Sequence, residues 1–352
     1  MTTDLGVERR TAAPVAVVRT EADESRVHED VRRAMELARW TEHIERGSEV
    51  AIKPNLGWDK LVPGAISAPW VVEGVIRTLS DHVGTIHMVE ADQVVVKAER
   101  ALAVSGLDRV CRRHGVEWHN MSREPYLRVR HPEARVLHEV EIPEILSRCP
   151  LITLPVLKTH NKTVVTGALK NQWGCLRELR HNYHPVLDDA IADVNQILQP
   201  RFAVMDGTVG LEGNGPKSGR PREVGVVLAS ANLVGLDAAA ATVMGIDPNG
   251  IRHLDHCAEA GLGAVKSEVV GGGSKTTGAR FITARHNPVS FIELALRGSF
   301  MEWLAFRTPL FWAMCWGARR YYDLWDLSAG RRRRRAFFAD SPWAKQWIEP
   351  EP

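Results

Sequence analysis

The chain has 352 residues, a formal charge of +2 at neutral pH, 44% hydrophobic and 25% charged residues. That length and composition suit a soluble α/β chain with a sizeable core in one large or two smaller units. The near balance of charge argues against a general nucleic-acid binder but permits a local basic site. Five cysteines (Cys111, Cys149, Cys175, Cys257, Cys315) are scattered without a Cys-x-x-Cys pair, so no zinc ribbon is encoded and no iron–sulfur cluster is expected.

Residues 1–13 read as a disordered N-terminal tail with no secretory apolar segment. From residue 14 short β-branched runs alternate with amphipathic segments: a strand at 14–19, a helix at 27–40, a strand at 49–55, a helix at 69–79 opened by Pro69, a strand at 85–91, and a helix at 97–114 ending near Gly115. The alternation predicts an α/β fold, a mostly parallel sheet flanked by helices. "YLRVRHPEARVLHEVEIP" alternates on both sides of Pro132 and predicts an inserted β-hairpin near 125–143. The α/β rhythm resumes with "LITLPVL", a helix at 186–198, strands at 202–207 and 223–230, a helix at 233–244, and short strands near 266–270 and 281–284. The core is thus read as 14–287.

After about 288 the composition shifts. Six of eleven tryptophans lie beyond residue 300, around the run Arg331–Arg335, and 288–352 reads as an α-helical C-terminal extension. No stretch supplies the roughly 18 apolar residues of a membrane span; the nearest, 300–317, is broken by Glu302, Arg307 and Pro309. The location expected is cytoplasmic. For 300–338 three readings compete: packing back on the core or forming a homodimer interface, peripheral contact with the inner face of a membrane, and nucleic-acid stacking, which the lack of a basic face elsewhere disfavours.

Function is read from the strand ends, where ligands of parallel sheets gather. "KPNLG" brings Lys53 and Asn55, "KTHNK" brings Lys158 and His160, and "DGTVGLEGNGPKSG" brings Asp206, Glu212 and Gly213. The stretch 155–184 holds Lys158, Lys162, Lys170, Arg177 and Arg180 against the single acid Glu178. Such a bias asks for an anionic ligand, since Arg and Lys bind carboxylate and phosphate. Lys53, Asn55, Lys158, Asn171, Arg180, His184, Glu212 and Gly213 are the candidate binding residues. His160, Lys170 and Asp206 are the candidate catalytic residues: His160 or Lys170 as the base, because positive neighbours lower a histidine or lysine pKa toward a neutral base, and Asp206 or Glu212 as the orienting or acid group, with Lys158 and Arg180 as carboxylate clamps. The glycines of 206–219 allow close backbone approach to a ligand but fit no nucleotide-loop spacing; the bland alternative is a long turn-rich connection. His181 and His184, followed by Asp188 and Asp189, offer a metal-ligand alternative, disfavoured by Pro185 between them and the helix.

"VAIKPNLG", "LPVLKTHNKTVVTGALKNQWG", "RHNYH", "VMDGTVGLEGNGP" and "LDAAAATVMGIDP" together resemble the family called domain of unknown function three-six-two, over roughly 49–275. Some of its members add a ferredoxin-like cysteine cluster, which this chain lacks. His160 and Lys170, ten residues apart around Gly167, are also similar to a pair in lactate racemase-like proteins. That resemblance implies a nickel-pincer cofactor held by Lys170, although "GAL" stands where those proteins have Gly-Gly-Arg.

The reading reached is an enzyme acting on a small anionic metabolite, carboxylate or phosphate, by proton transfer of the isomerase, epimerase or lyase type. The alternatives are a non-enzymatic binding or assembly protein using its aromatic C-terminus, and a ligase or transferase with phosphates on the glycine loop.

Overall fold

The computed structural model describes residues 13–177, 180–273, 278–285, 288–297 and 299–348. Apart from Ala13, which is buried in the core, the expected N-terminal tail lies outside these residues, as do Glu178 and the side chain of His181.

The strands are β1 (Val15–Arg19), β2 (Glu49–Pro54), β3 (Thr85–Glu90), β4 (Glu117–Asn120), β5 (Tyr126–Arg130), β6 (Glu139–Pro143), β7 (Leu151–Leu154), β8 (Val156–His160), β9 (Val164–Val165), β10 (Phe202–Glu212), β11 (Arg220–Ser230) and β12 (Val269–Val270). Ten of them form one sheet in the order β12-β1-β11-β10-β7-β2-β3-β4, with β8 added on β10 and β9 on β8. Pairing is parallel across β10, β7, β2, β3 and β4, and antiparallel where β11 lies between β1 and β10. β5 and β6 form the separate hairpin.

Helices cover both faces. Because strand side chains alternate, Ala16 and Val18 enter one core while Val15 and Val17 enter the other. Helices Glu24–Leu37 and Pro69–Ser80 supply the first core; Leu187–Leu198 and Leu233–Val243 supply the second. β2 and β7 are covered on both sides, which is why "VAIKP" and "LITL" are nearly continuously buried.

Several expected boundaries move. The helix expected over 97–114 is two, Ala98–Ser105 and Leu107–His114, separated by Gly106 at φ 81°. "LITLPVL" splits into β7 and β8 at Pro155, which has no N–H for a ladder. Residues 281–284 form no strand; that chain is instead held by Phe281 N–H on Met244 O and Gly213 N–H on Ile282 O. The glycine-rich connection is mostly a hairpin of two 11-residue strands, with Asp206 inside β10 and Glu212 opposite Arg220. Its glycines serve packing: a Cβ on Gly210 would meet Leu157 O at 2.7 Å.

The C-terminal region is helical, with Pro288–Leu296, Glu302–Arg307, Leu310–Trp325 and Arg331–Asp340. Its later part belongs to the first core, where Tyr322, Phe337, Trp343 and Trp347 are buried. The loop after β2 clamps it: Arg319 binds Asp59 at 2.8 Å, Lys60 binds Asp323 at 2.8 Å, and Trp58 meets Tyr322 edge-on. Among the described residues no helix is long and apolar enough to cross a membrane.

Candidate functional site

At the carboxyl ends of β2, β3 and β8 a buried polar network forms. Lys53 Nζ donates to Glu90 Oε2 at 2.9 Å, with both side chains essentially excluded from solvent. Lys158 Nζ donates to Asn55 Oδ1 (2.7 Å) and Ala65 O (2.9 Å). Asn55 in turn donates to Asn171 Oδ1 at 2.9 Å, and Asn171 donates to Lys53 O and Thr153 Oγ1. Every member has its partner inside the network, as buried polar groups require.

The short helix Gly167–Asn171 hangs over this network and delivers Lys170. Asp237 fixes its start by accepting from Ala168 N and Leu169 N. Gly167 has φ 65°, and a Cβ there would collide with the Asp237 carboxylate, so a glycine is required. Burial pushes the Asp237 carboxyl up to about 7.

Above lies a cavity of about 550 Å³ between the sheet end and the C-terminal helices. Its polar wall carries His160, Lys162, Lys170, Arg180, His184 and Lys217, and Glu293 is the one acid lining it among the described residues. Glu293 is already engaged, by Lys162 at 2.8 Å and His184 Nδ1 at 2.6 Å. Despite its burial, these two partners hold the Glu293 carboxyl at about 2. The opposite wall is apolar, including Val289, Ile292, Phe306, Phe311 and Met314.

Lys170 is half-buried and has no hydrogen-bond or ion-pair partner among the described residues. Desolvation, then the charges of Lys162, Arg180 and Lys217, lower it to about 7. Lys217 packs its ammonium over Trp58 (4.8 Å) and Tyr322 (5.9 Å); desolvation lowers it to about 8. His160 Nδ1 accepts from Lys162 N (3.0 Å) and Thr163 N (3.3 Å). Burial and neighbouring cations hold its pKa well below the ordinary value, so the ring is neutral with its proton on Nε2.

The predicted residues therefore sort into three groups. His160, Lys170, Arg180 and His184 line the cavity; Lys53, Asn55, Lys158 and Asn171 form the network beneath it. Asp206, Glu212 and Gly213 are not among the lining residues. Asp206 instead accepts from Ala68 N at the start of helix Pro69–Ser80 and from Thr208, and burial raises it to about 6. Glu212 accepts from Ile282 N, and Gly213 O accepts from Thr159 Oγ1. These three hold the β10–β11 hairpin and its neighbours. Sequence reasoning missed Lys217 and the C-terminal wall. Lys217 was visible as the only cation in "GNGP-K-SG", whereas the wall comes from a segment that reads as an appendage.

The nickel-pincer expectation rests on the spacing of His160 and Lys170 alone. Among the described His, Cys, Asp and Glu side chains, His160 belongs to no group close enough to share one metal ion.

The family model for "Domain of unknown function (DUF362)" matches residues 50–242, and the chain belongs to that family. The thylakoid-associated protein sll1697 of Synechocystis is 28% identical over 127 residues, which cover 34% of this chain and 40% of that protein. A crystal structure of a Thermotoga maritima protein is similar over 54% of this chain and 51% of its own, at 14% identity and a TM-score of 0.34. The chain thus matches less than two thirds of either protein's length.

Proposed function

We propose that this DUF362 family member is an enzyme that binds an anionic, partly apolar metabolite, a carboxylate with a hydrocarbon body, and moves a proton on it. The observation that carries this reading is Lys170: a cavity-lining amine without a counter-ion among the described residues, its pKa lowered to about 7 by burial and by neighbouring cations. Such a lysine is matched to general-base work near pH 7.

Roles follow from the hydrogen bonding. The sequence offered His160 or Lys170 as base; with Nδ1 occupied, His160 has an Nε2–H to give and acts as a donor. Arg180 and Lys217 would hold the carboxylate. Lys170 as free amine takes the proton from the adjacent carbon, and the electron pair spreads onto the carboxylate oxygens, where His160 Nε2–H stabilises it. Returning the proton to the other face or another carbon gives epimerisation or isomerisation. The apolar wall accommodates the hydrocarbon part.

Binding of acetate, hexanoate, decanoate, decanol and inorganic phosphate, measured by calorimetry, tests the ligand class. Affinity should tighten about fourfold for each buried methylene in the acids, and decanol should bind far more weakly than decanoate. Equal affinity for acetate and decanoate would remove the apolar part of the reading. Solvent deuterium exchange at the carbon beside the carboxylate, followed by NMR, tests the chemistry; no exchange in any acid that binds would leave a binding protein.

A second reading concerns place rather than chemistry, and the C-terminal surface favours it. Of the 18 exposed large hydrophobic side chains among the described residues, 11 fall between Phe291 and Leu327. Trp312, Trp316, Leu324 and Leu327, with Arg320, recur at spacings of four, four, four and three, so one outward face of a helix is apolar. All four acids of 288–335 are tied in ion pairs, while Arg331, Arg332 and Arg335 are exposed. Tryptophan with outward arginine suits the surface of an anionic bilayer, and a relative bears the name thylakoid-associated. Ile292 both lines the cavity and is 54% exposed, so the cavity rim carries part of the exposed apolar surface of the C-terminal region. Flotation with vesicles rich in anionic lipid tests it; no flotation at low salt eliminates it, and a concentration-dependent dimer hiding these tryptophans would assign the face to a second copy.

A further inference from the structure

We propose that His87, Glu117 and His119 form a binding site for a first-row divalent transition-metal ion on the β3–β4 edge of the sheet, apart from the cavity. In the parallel register of β3 and β4, His87 stands opposite Glu117, and Val89 opposite His119. Period-two alternation therefore puts the three side chains on one face. The sequence signal is small, Glu-x-His in an edge strand and one histidine in its neighbour, and only the pairing joins them.

The ligand atoms form a closed triangle. His87 Nδ1 lies 3.0 Å from His119 Nε2 and 3.2 Å from Glu117 Oε2, and His119 Nε2 lies 3.6 Å from the same carboxylate oxygen. A tetrahedral Zn²⁺ with bonds of about 2.0–2.1 Å separates its ligand atoms by about 3.3 Å, so these spacings suit three corners around one ion. Two imidazoles and a carboxylate are a donor set for Zn²⁺ and related ions.

The surroundings prepare the ligands. His119 Nδ1 meets Glu124 Oε1 at 2.6 Å; a proton on Nδ1 shared with that carboxylate leaves the Nε2 lone pair aimed into the triangle. Carboxylate–histidine pairs orient metal-bound imidazoles in this way. His87 is only 4% exposed and its Nε2 has no hydrogen-bond partner among the described residues. The nearest acid to that nitrogen is Glu49 Oε2, at 3.5 Å. With Nδ1 on a metal, Nε2 carries the proton and turns toward Glu49. The Glu117 side chain is 62% exposed, which leaves an entry path and room for water as a fourth ligand. The ion would tie the edge strand β4 to β3.

The test uses the full chain without an affinity tag, stripped with chelator and titrated with Zn²⁺. One equivalent should bind tightly and raise the unfolding temperature, and Co²⁺ should give the strong visible bands of a tetrahedral site. Glu124→Gln should weaken Zn²⁺ binding about 10–100-fold; Glu117→Gln and His119→Gln should abolish the equivalent. These groups are at least partly exposed, so the metal-free variants should unfold near the metal-free wild type, which shows that binding, not folding, was lost. The same edge holds a rival group, Glu49, His87 and Cys149. Cys149→Ala should therefore leave Zn²⁺ binding unchanged. Loss of the ion in Cys149→Ala with retention in Glu117→Gln would overturn the assignment, as would the absence of stoichiometric uptake.

Discussion

Two pairs of lysines lie within one end of the sheet and do different things. Lys53 and Lys158 lie beneath the cavity, each with protein acceptors, one carboxylate for Lys53 and two neutral oxygens for Lys158. Lys170 and Lys217 reach the cavity itself, where one has no polar partner among the described residues and the other rests on aromatic rings. The residue type is the same in both pairs. What separates them is whether the fold supplies an acceptor: a lysine that has one is part of the scaffold, and a lysine left without one is available to a ligand.

The largest effect should come from breaking the scaffold pair. Lys53→Met leaves Glu90 buried without its cation, and removing one partner of a buried ion pair costs about 3–5 kcal/mol. Chemical denaturation should show that loss. Lys170→Met should change stability far less. If the two substitutions destabilise equally, the distinction between scaffold and cavity lysines fails.

The next effect separates the two cavity lysines by function. Lys170→Met should lower deuterium exchange of a bound carboxylate by at least about 100-fold, the usual contribution of a general base, while decanoate affinity changes little. Lys217→Met should do the reverse and weaken binding. An outcome in which both variants lose binding and exchange in proportion would assign the two lysines one shared role.

Acidity sharpens this further. Exchange needs Lys170 uncharged and should rise as pH increases through about 7, whereas carboxylate binding needs Lys217 charged and should fall above about 8. The exchange efficiency should trace a narrow bell between those limbs, and Lys217→Met should remove the alkaline limb. Stability carries the same signature. Lys170 binds its proton more weakly in the folded chain than at its ordinary value of 10.5, so the unfolded chain holds more protons between about 7 and 10.5. Lys170 therefore makes stability increase with pH across that window, and Lys170→Met should flatten this contribution.

How much of this was legible in the sequence follows from how local each signal is. The parallel sheet was readable because β2, β3 and β7 are short apolar runs separated by amphipathic helices, a pattern carried by neighbouring residues. The convergence of Lys53, Asn55, Lys158, His160 and Lys170 followed from the rule that parallel strands end together. Asp206 was misplaced because β10 runs on to Glu212, through glycines that read as a loop but make room for Leu157 and Val226. The cavity's other wall was illegible. Nothing local says that Phe306, Phe311 and Met314 return over Lys170, or that Trp58 and Asp59 receive Tyr322 and Arg319; only the chain's path through space does.

The smallest effect tests whether the comparison extends to arginine, within the run Arg331–Arg335. Arg333 donates to Ser218 O and Gly219 O, and Arg334 to Asp326 and Leu61 O, so these two are satisfied by the protein. Arg331, Arg332 and Arg335 are exposed on the same helix. If a missing internal acceptor marks a residue for an outside partner, each of the three replaced by Gln should weaken binding to anionic vesicles by about fivefold, the effect of about 1 kcal/mol per basic residue near a charged surface. Their removal should move the unfolding free energy by no more than about 0.5 kcal/mol. Arg334→Gln should instead lower stability, because Asp326 loses its partner, and leave vesicle binding nearly unchanged. Added salt should erase the loss of vesicle binding at the three exposed positions but not the destabilisation by Arg334→Gln, since screening weakens exposed charges more than partly buried pairs. Equal vesicle affinity for Arg332→Gln and wild type at low salt would show that outward arginines here are ordinary surface charge, and would leave the rule standing for the lysines alone.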